Sequence, residues 1–142
     1  MLMGEYCNHL DLKGRVVIPS KFREVLGEKV VLTRGLDGSL FIYSYDSWIL
    51  LTEKFNTLSF TEKESRNFVR FMMSGATTLE FDKQGRIVIP SYLKEYAALE
   101  KEVVLVGVLN RVEIWSSEGW NKFMTENFND LSQISSNLFS SN

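Results

Sequence analysis

Two stretches of this chain, Asp11-Leu12-Lys13-Gly14-Arg15-Val16-Val17-Ile18-Pro19-Ser20 and Asp82-Lys83-Gln84-Gly85-Arg86-Ile87-Val88-Ile89-Pro90-Ser91, repeat one unit at a constant offset. The repetition runs on more loosely. Phe22, Arg23 and Glu24 meet Leu93, Lys94 and Glu95, and Val30-Val31-Leu32 meets Val103-Val104-Leu105 after a small insertion. Ile42-Tyr43-Ser44 and Trp48 meet Ile114-Trp115-Ser116 and Trp120. A chain that repeats itself this way folds as two similar halves. Each half offers only four short strands, too few to bury a core alone. The halves are therefore expected to share one core, as a small pseudo-twofold β-barrel with helices around it, of α+β class.

Both halves follow the same local pattern. Short strands are predicted at 6–11 and 77–82, before the glycines, and β-branched strands at 15–18 and 86–89, after them. A tight Gly-containing connection closed by an aspartate predicts a hairpin. Pro19 and Pro90 end the second strands because proline cannot donate to a ladder. Ser20 and Ser91 suit an N-cap. The short helices that follow carry stripes of Phe22, Val25 and Leu26, and of Leu93, Tyr96 and Ala97. Further strands are expected at 29–33 and 39–43, joined through Asp37-Gly38, and at 102–106 and 111–115, also joined by a Gly-containing turn.

Longer helices close each half, with Trp48, Leu51, Thr52 and Phe55 on one face, and Trp120, Phe123, Met124 and Phe128 on the other. Between the halves, 61–73 predicts a helix that opens on the capping box Thr61-Glu62-Lys63-Glu64 and buries Phe68, Phe71 and Met72. The Ser- and Asn-rich tail, 129–142, is expected to be frayed. The resulting division is 5–47 for the first unit, 48–75 for a helical connection, 76–119 for the second unit, and 120–142 for a C-terminal helix and tail.

The remaining inventory removes several functions. No apolar run approaches the roughly 20 residues that span a bilayer, and the N-terminus lacks the basic and apolar regions of a signal peptide. A cytoplasmic protein with no membrane partner is expected. Cys7 and His9 are the only residues of their kinds. Two such residues cannot make a structural zinc site, and a structural role is expected for both. Neither a phosphate-binding glycine loop nor a nucleophile elbow is present. No enzyme, cofactor, metal or small-molecule substrate is expected.

Charge placement says more than the net charge of −2. Asp11 and Arg15 flank the first turn, and Asp82 and Arg86 the second. In each, the carboxylate can accept turn N–H groups and pair with the arginine. Such a pair either only locks the turn or also aims the guanidinium at a ligand. Lys13, Lys21 and Arg23 lie near the first turn in sequence, and Lys83 and Lys94 near the second, whereas Glu53, Glu62, Glu64, Glu113, Glu118 and Glu126 lie elsewhere. One basic end results. Guanidinium groups on projecting loops suit phosphates and guanine edges.

The doubled Asp-x-x-Gly-Arg-(Val/Ile)-Val-Ile-Pro-Ser element resembles the swapped-hairpin DNA-binding units of the AbrB type. With the N-terminal Met-Leu-Met-Gly, the Arg34-Gly35 turn, the central helix and the two Trp-containing helices, the whole arrangement resembles the bacterial MraZ family. The resemblance implies a transcriptional regulator of the division and cell-wall gene cluster, including its own promoter. It implies a cytoplasmic, nucleoid-associated protein that binds short repeats in double-stranded DNA and assembles with itself into a ring. It also implies that Arg15 and Arg86 contact DNA and that Asp11 and Asp82 shape the turns. From the charge pattern, Lys13, Lys83, Lys21, Arg23 and Lys94 are expected to support the arginines on DNA, and Gly14 and Gly85 to shape the turns with the aspartates. Gln84 stands where the first unit has Lys13, so the two units are not equally basic. Another AbrB-type regulator or a toxin-neutralising antidote is the alternative.

Overall fold

A computed structural model describes residues 1–140. The first half runs β1 (Leu2–His9), β2 (Arg15–Val17), α1 (Ser20–Leu26), β3 (Lys29–Arg34), β4 (Leu40–Ser44) and α2 (Tyr45–Phe55). The helix α3 (Lys63–Gly75) leads to the second half. There β5 (Thr77–Glu80), β6 (Arg86–Val88), α4 (Ser91–Tyr96), β7 (Glu102–Leu109), β8 (Arg111–Ser116) and α5 (Ser117–Asn127) repeat the order, followed by α6 (Leu131–Phe139).

The hydrogen bonding exchanges strands between the halves. Six strands form an antiparallel sheet in the order β1-β7-β8-β4-β3-β5, and β2 and β6 form a separate two-stranded ribbon. Exchanging the halves reverses the sheet order onto itself. β1 pairs with β7, with Tyr6 opposite Leu105, and β5 pairs with β3, with Thr77 opposite Leu32. At the axis, β4 meets β8 with Phe41 opposite Glu113, and β2 meets β6 with Val16 opposite Ile87.

Local hairpins linking β1 to β2 and β5 to β6 are thus not what forms. The turns close, but each strand finds its partner in the other half. Two copies of one β-branched run are self-complementary when antiparallel, and the pairing turns Val16 and Ile87, each 1% exposed, to the core. The mixed α+β class and the two repeated halves agree with expectation. The ladder, however, is a six-stranded sheet plus a ribbon among the described residues, not one continuous ring of strands.

One core serves both halves. Val16, Ile18, Phe22, Leu32 and Ile42 of the first pack with Ile87, Ile89, Leu93, Leu105 and Ile114 of the second. A second cluster on the outer face of the sheet joins Val31, Phe41, Tyr43, Trp48 and Met72 beneath α2 and α3. There Thr33 Oγ1 donates to Met72 O at 2.8 Å, an orphan carbonyl of the last turn of α3, and Arg34 Nη1 donates to Phe71 O at 2.9 Å, so two side chains of β3 hold the end of the helix. In the second half, Trp115 meets Trp120 and Phe123 of α5 at centroid distances of 5.3 and 5.1 Å.

Several local expectations change. Pro19 and Pro90 occupy the N-cap positions of α1 and α4, and no side chain caps either helix. The rigid proline φ positions Pro19 O to accept from Phe22 and Arg23 N–H, which places Ser20 inside the first turn. The capping box does not form: α3 starts at Lys63, and Thr61 Oγ1 bonds Ser59 Oγ instead. Side-chain caps appear where Ser44 accepts from Ser47 N and Ser116 from Gly119 N. Val25 is exposed, off the buried stripe of α1. Gly107 lies inside β7, and the β7–β8 turn is made at Leu109, with φ of 61°. Cys7 and His9 are exposed on β1. The tail is helical over Leu131–Phe139, and its last two residues lie outside the described ones.

Because Ile18 and Ile89 reach the shared core from opposite halves, replacing either with alanine should cost about 2–5 kcal/mol. Urea unfolding should still show one transition, with Trp48 and the Trp115/Trp120 pair reporting the same midpoint.

Candidate nucleic-acid interface

The two turns are built alike from their aspartates. Asp11 Oδ1 accepts from the N–H groups of Lys13 and Arg15 at 2.9 and 2.8 Å, and Oδ2 accepts from Arg15 Nε at 2.7 Å. Asp82 Oδ1 accepts from Gln84 and Arg86 N–H, both at 2.9 Å, and Oδ2 from Arg86 Nε at 2.7 Å. Gly14 and Gly85 close the turns at φ of 80° and 75°, left-handed values that suit glycine. The carboxylate uses one edge of each guanidinium. The Nη groups of Arg15 and Arg86 make no hydrogen bond to protein among the described residues, and the two side chains stay 30% and 25% exposed, so a planar two-donor edge is left for a ligand.

The ribbon sets the turns relative to one another. Gly85 O accepts from Ile18 N–H at 2.9 Å, and Gly14 O accepts from Ile89 N–H at 2.8 Å. Each turn is therefore strapped to the other half, at opposite ends of the ribbon. Ile18 lies four residues on from Gly14, so the turns stand on the order of 14 Å apart. Between the arginines, Val17 and Val88 are exposed on the outer face of the ribbon. Asn8 Nδ2 donates to Val17 O at 2.7 Å and ties β1 to it.

The supporting cations are distributed differently from their order in the sequence. Lys13 and Lys83 are exposed at the turns, and Lys21 is exposed on α1. Arg23 crosses the axis: its Nε donates to Ile18 O at 2.9 Å, and its guanidinium lies against Gly85 of the second turn. Lys94 lies beside Gly14 of the first turn. Strand exchange thus groups Lys94 with Lys13 and Arg15, and Arg23 with Lys83 and Arg86. The basic end is also less uniform than expected, because Glu24, Glu28 and Glu80 line a hollow with Arg23 and Asp82. Sequence reasoning missed Leu12, fully exposed at the tip of the first turn, and Asn8. The signal for Leu12 was its alignment with Lys83, an apolar residue in a polar position.

Among the described residues no cluster of three His, Cys, Asp or Glu side chains could hold a metal. The Arg15 N–H, aided by Arg15 Nε and Lys13 N–H, holds the Asp11 carboxyl below its ordinary value against a smaller opposing effect of desolvation. The Arg86 N–H, with Arg86 Nε and Gln84 N–H, does the same for Asp82.

Exchanged strands and paired Asp–Arg turns define a duplicated AbrB-type protein. The family model described as "MraZ protein, putative antitoxin-like" matches this chain twice, over residues 1–71 and 72–142. The transcriptional regulator MraZ of Caldanaerobacter subterraneus subsp. tengcongensis is 52% identical over 97% of this chain and 96% of its own length. That of Halothermothrix orenii is 56% identical over 87% of both, and that of Limosilactobacillus reuteri 51% over 97% of both. The chain belongs to the MraZ family.

Because both carboxyls titrate lower when folded than the unfolded value of about 3.9, their stabilisation is complete above that pH and is lost as pH falls through the folded pKa. The melting temperature should therefore drop as pH is lowered from about 4. Asp11→Asn with Asp82→Asn should flatten that part of the profile, as read by circular dichroism.

Proposed function

We propose that this chain is a sequence-specific DNA-binding transcriptional regulator that reads short promoter repeats through its two Asp-x-x-x-Arg turns. The observation that carries this reading is the duplicated, partly exposed arginine whose Nε is tied to an aspartate while its Nη groups make no hydrogen bond to protein among the described residues. A guanidinium held in this way is prepared for two parallel hydrogen bonds to guanine O6 and N7. A two-stranded ribbon fits the major groove, about 12 Å wide. Lys13, Lys83, Lys21, Arg23 and Lys94 would position the protein on phosphates without specifying sequence. The names of the relatives support regulation of transcription.

The family resemblance supports a finer reading: regulation of the division and cell-wall gene cluster, including the protein's own promoter, by a cytoplasmic, nucleoid-associated ring of subunits. Exposed Phe128, Leu131, Ile134, Leu138 and Phe139 on and beside α5 and α6 leave apolar surface for self-association. The described helices include none long and apolar enough to cross a membrane.

A toxin-neutralising antidote is the second reading, favoured by the antitoxin-like description of the family. Under it, neutralisation of a toxin partner would survive loss of both turn arginines.

Arg15→Ala with Arg86→Ala should weaken binding to DNA upstream of the protein's own gene by about 100-fold or more, at about 1–3 kcal/mol per bidentate contact. Circular dichroism should be unchanged. Unaltered affinity in a gel-shift titration would refute the assignment. Footprinting of that DNA should protect equally spaced short repeats. Light scattering at micromolar concentration should give a mass several times 16.4 kDa, and a clean monomer would remove the ring.

A further inference from the structure

The pseudo-twofold symmetry of the turns is broken at one pair of residues. Arg23 and Lys94 are counterparts, each in the last turn of a short helix, and each reaches across the axis to the other half's turn. Their contacts differ. A Cβ placed on Gly85 would lie 2.6 Å from both Cζ and Nε of Arg23 and 3.0 Å from its Nη2. The guanidinium therefore lies directly against the Gly85 backbone. The same construction at Gly14 finds Lys94 only through its Cδ, at 3.9 Å. The anchoring differs too. Ile18 donates its N–H to Gly85 O while its own carbonyl accepts from Arg23 Nε at 2.9 Å. Ile89 donates equivalently to Gly14 O, but no side-chain donor reaches its carbonyl among the described residues.

We infer that Arg23 is the positioning residue of the second turn, clamping Gly85 and through it Arg86, and that the first turn has no such clamp. This rests on the proposed DNA reading and revises it at one position. Arg23 would otherwise count among the phosphate-contacting cations. With its Nε engaged at Ile18 O and its guanidinium against Gly85, its charge is drawn to the turn, in a surface hollow also lined by Glu24, Glu80 and Asp82. The two turns thereby differ in kind. The second has one lysine, Lys83, and a neutral Gln84, but it is held rigidly and loses less entropy when Arg86 meets a base. The first has Lys13 and Lys94 but is held only by its aspartate and ribbon bond. The second turn is the more selective reader. The first supplies more of the salt-dependent affinity.

Arg23→Lys separates the alternatives, because it keeps the charge and removes the clamp. Amide exchange of the protein without DNA provides the readout independent of binding. Exchange at Gly85 and Arg86 should quicken by on the order of tenfold, as expected for loss of a hydrogen bond from a charged group, while Gly14 and Arg15 stay unchanged. Unchanged protection at Gly85 would overturn the clamp whether or not the chain binds DNA. If instead the unaltered protein fails to bind its own upstream DNA, the functional reading falls while the exchange result still decides the clamp. In binding, Arg23→Lys and Arg23→Ala should both reduce the ratio of specific to nonspecific affinity about tenfold, leaving the slope of log K against log salt unaltered. A phosphate contact would behave oppositely: Arg23→Ala would reduce that slope by about 0.9 and Arg23→Lys would restore it. Lys94→Ala, the control, should reduce the slope with little change in specificity. A larger specificity loss from Lys94→Ala than from Arg23→Ala would also overturn the inference.

Discussion

The hydrogen bonds that cross the pseudo-twofold axis between β2 and β6 organise this molecule. A three-residue strand cannot satisfy its own backbone groups, and neither half provides a second strand beside it. Each ribbon strand therefore borrows its partner from the other half, and the ladder extends to the turn glycines through Ile18 and Ile89. That exchange turns Val16 and Ile87 inward, where they join a core drawn from both halves. It also holds the two Asp–Arg turns at the ends of one short ribbon. The separation between the arginines is thus a property of the pairing and not of either loop.

The turns show how a chain with a net charge of −2 can present cations to an anionic partner. Each aspartate accepts two turn N–H groups and one arginine edge, so its own charge is largely engaged in the protein. The arginine loses its freedom to wander and keeps its second edge. Exposed ion pairs of this sort contribute little to stability. Their value lies in orientation. The cross-axis contacts then distinguish two turns that would otherwise be equivalent, because a planar guanidinium can lie against a glycine peptide and an ammonium on a flexible stem cannot.

Much of the fold was legible because its signals are short-range and periodic. The doubled motif announced two halves, the β-branched runs announced strands, and Asp37-Gly38 announced a turn in which both residues have positive φ. The Asp11 and Asp82 turns were legible for the same reason, since a carboxylate finds N–H groups two and four residues on. Errors arose where two local solutions compete. A hairpin and an exchanged pair use the same sequence signal, and a serine after proline can stand at the N-cap or one residue inside. At 61–64 a real capping-box pattern lost to a start one residue closer to the packed end of α3, where Met72 and the bonds from Thr33 and Arg34 hold the helix.

The sequence by itself determined the duplication, the strand and helix content, and the local geometry of each Asp–Arg turn, because each of these follows from residues within one turn or strand of each other. Only the tertiary structure decided which strand pairs with which, and hence that Arg23 serves the second turn and Lys94 the first. Those contacts join residues far apart in the chain, and their partners are selected by how apolar faces close over a common core, a choice that no local spacing encodes.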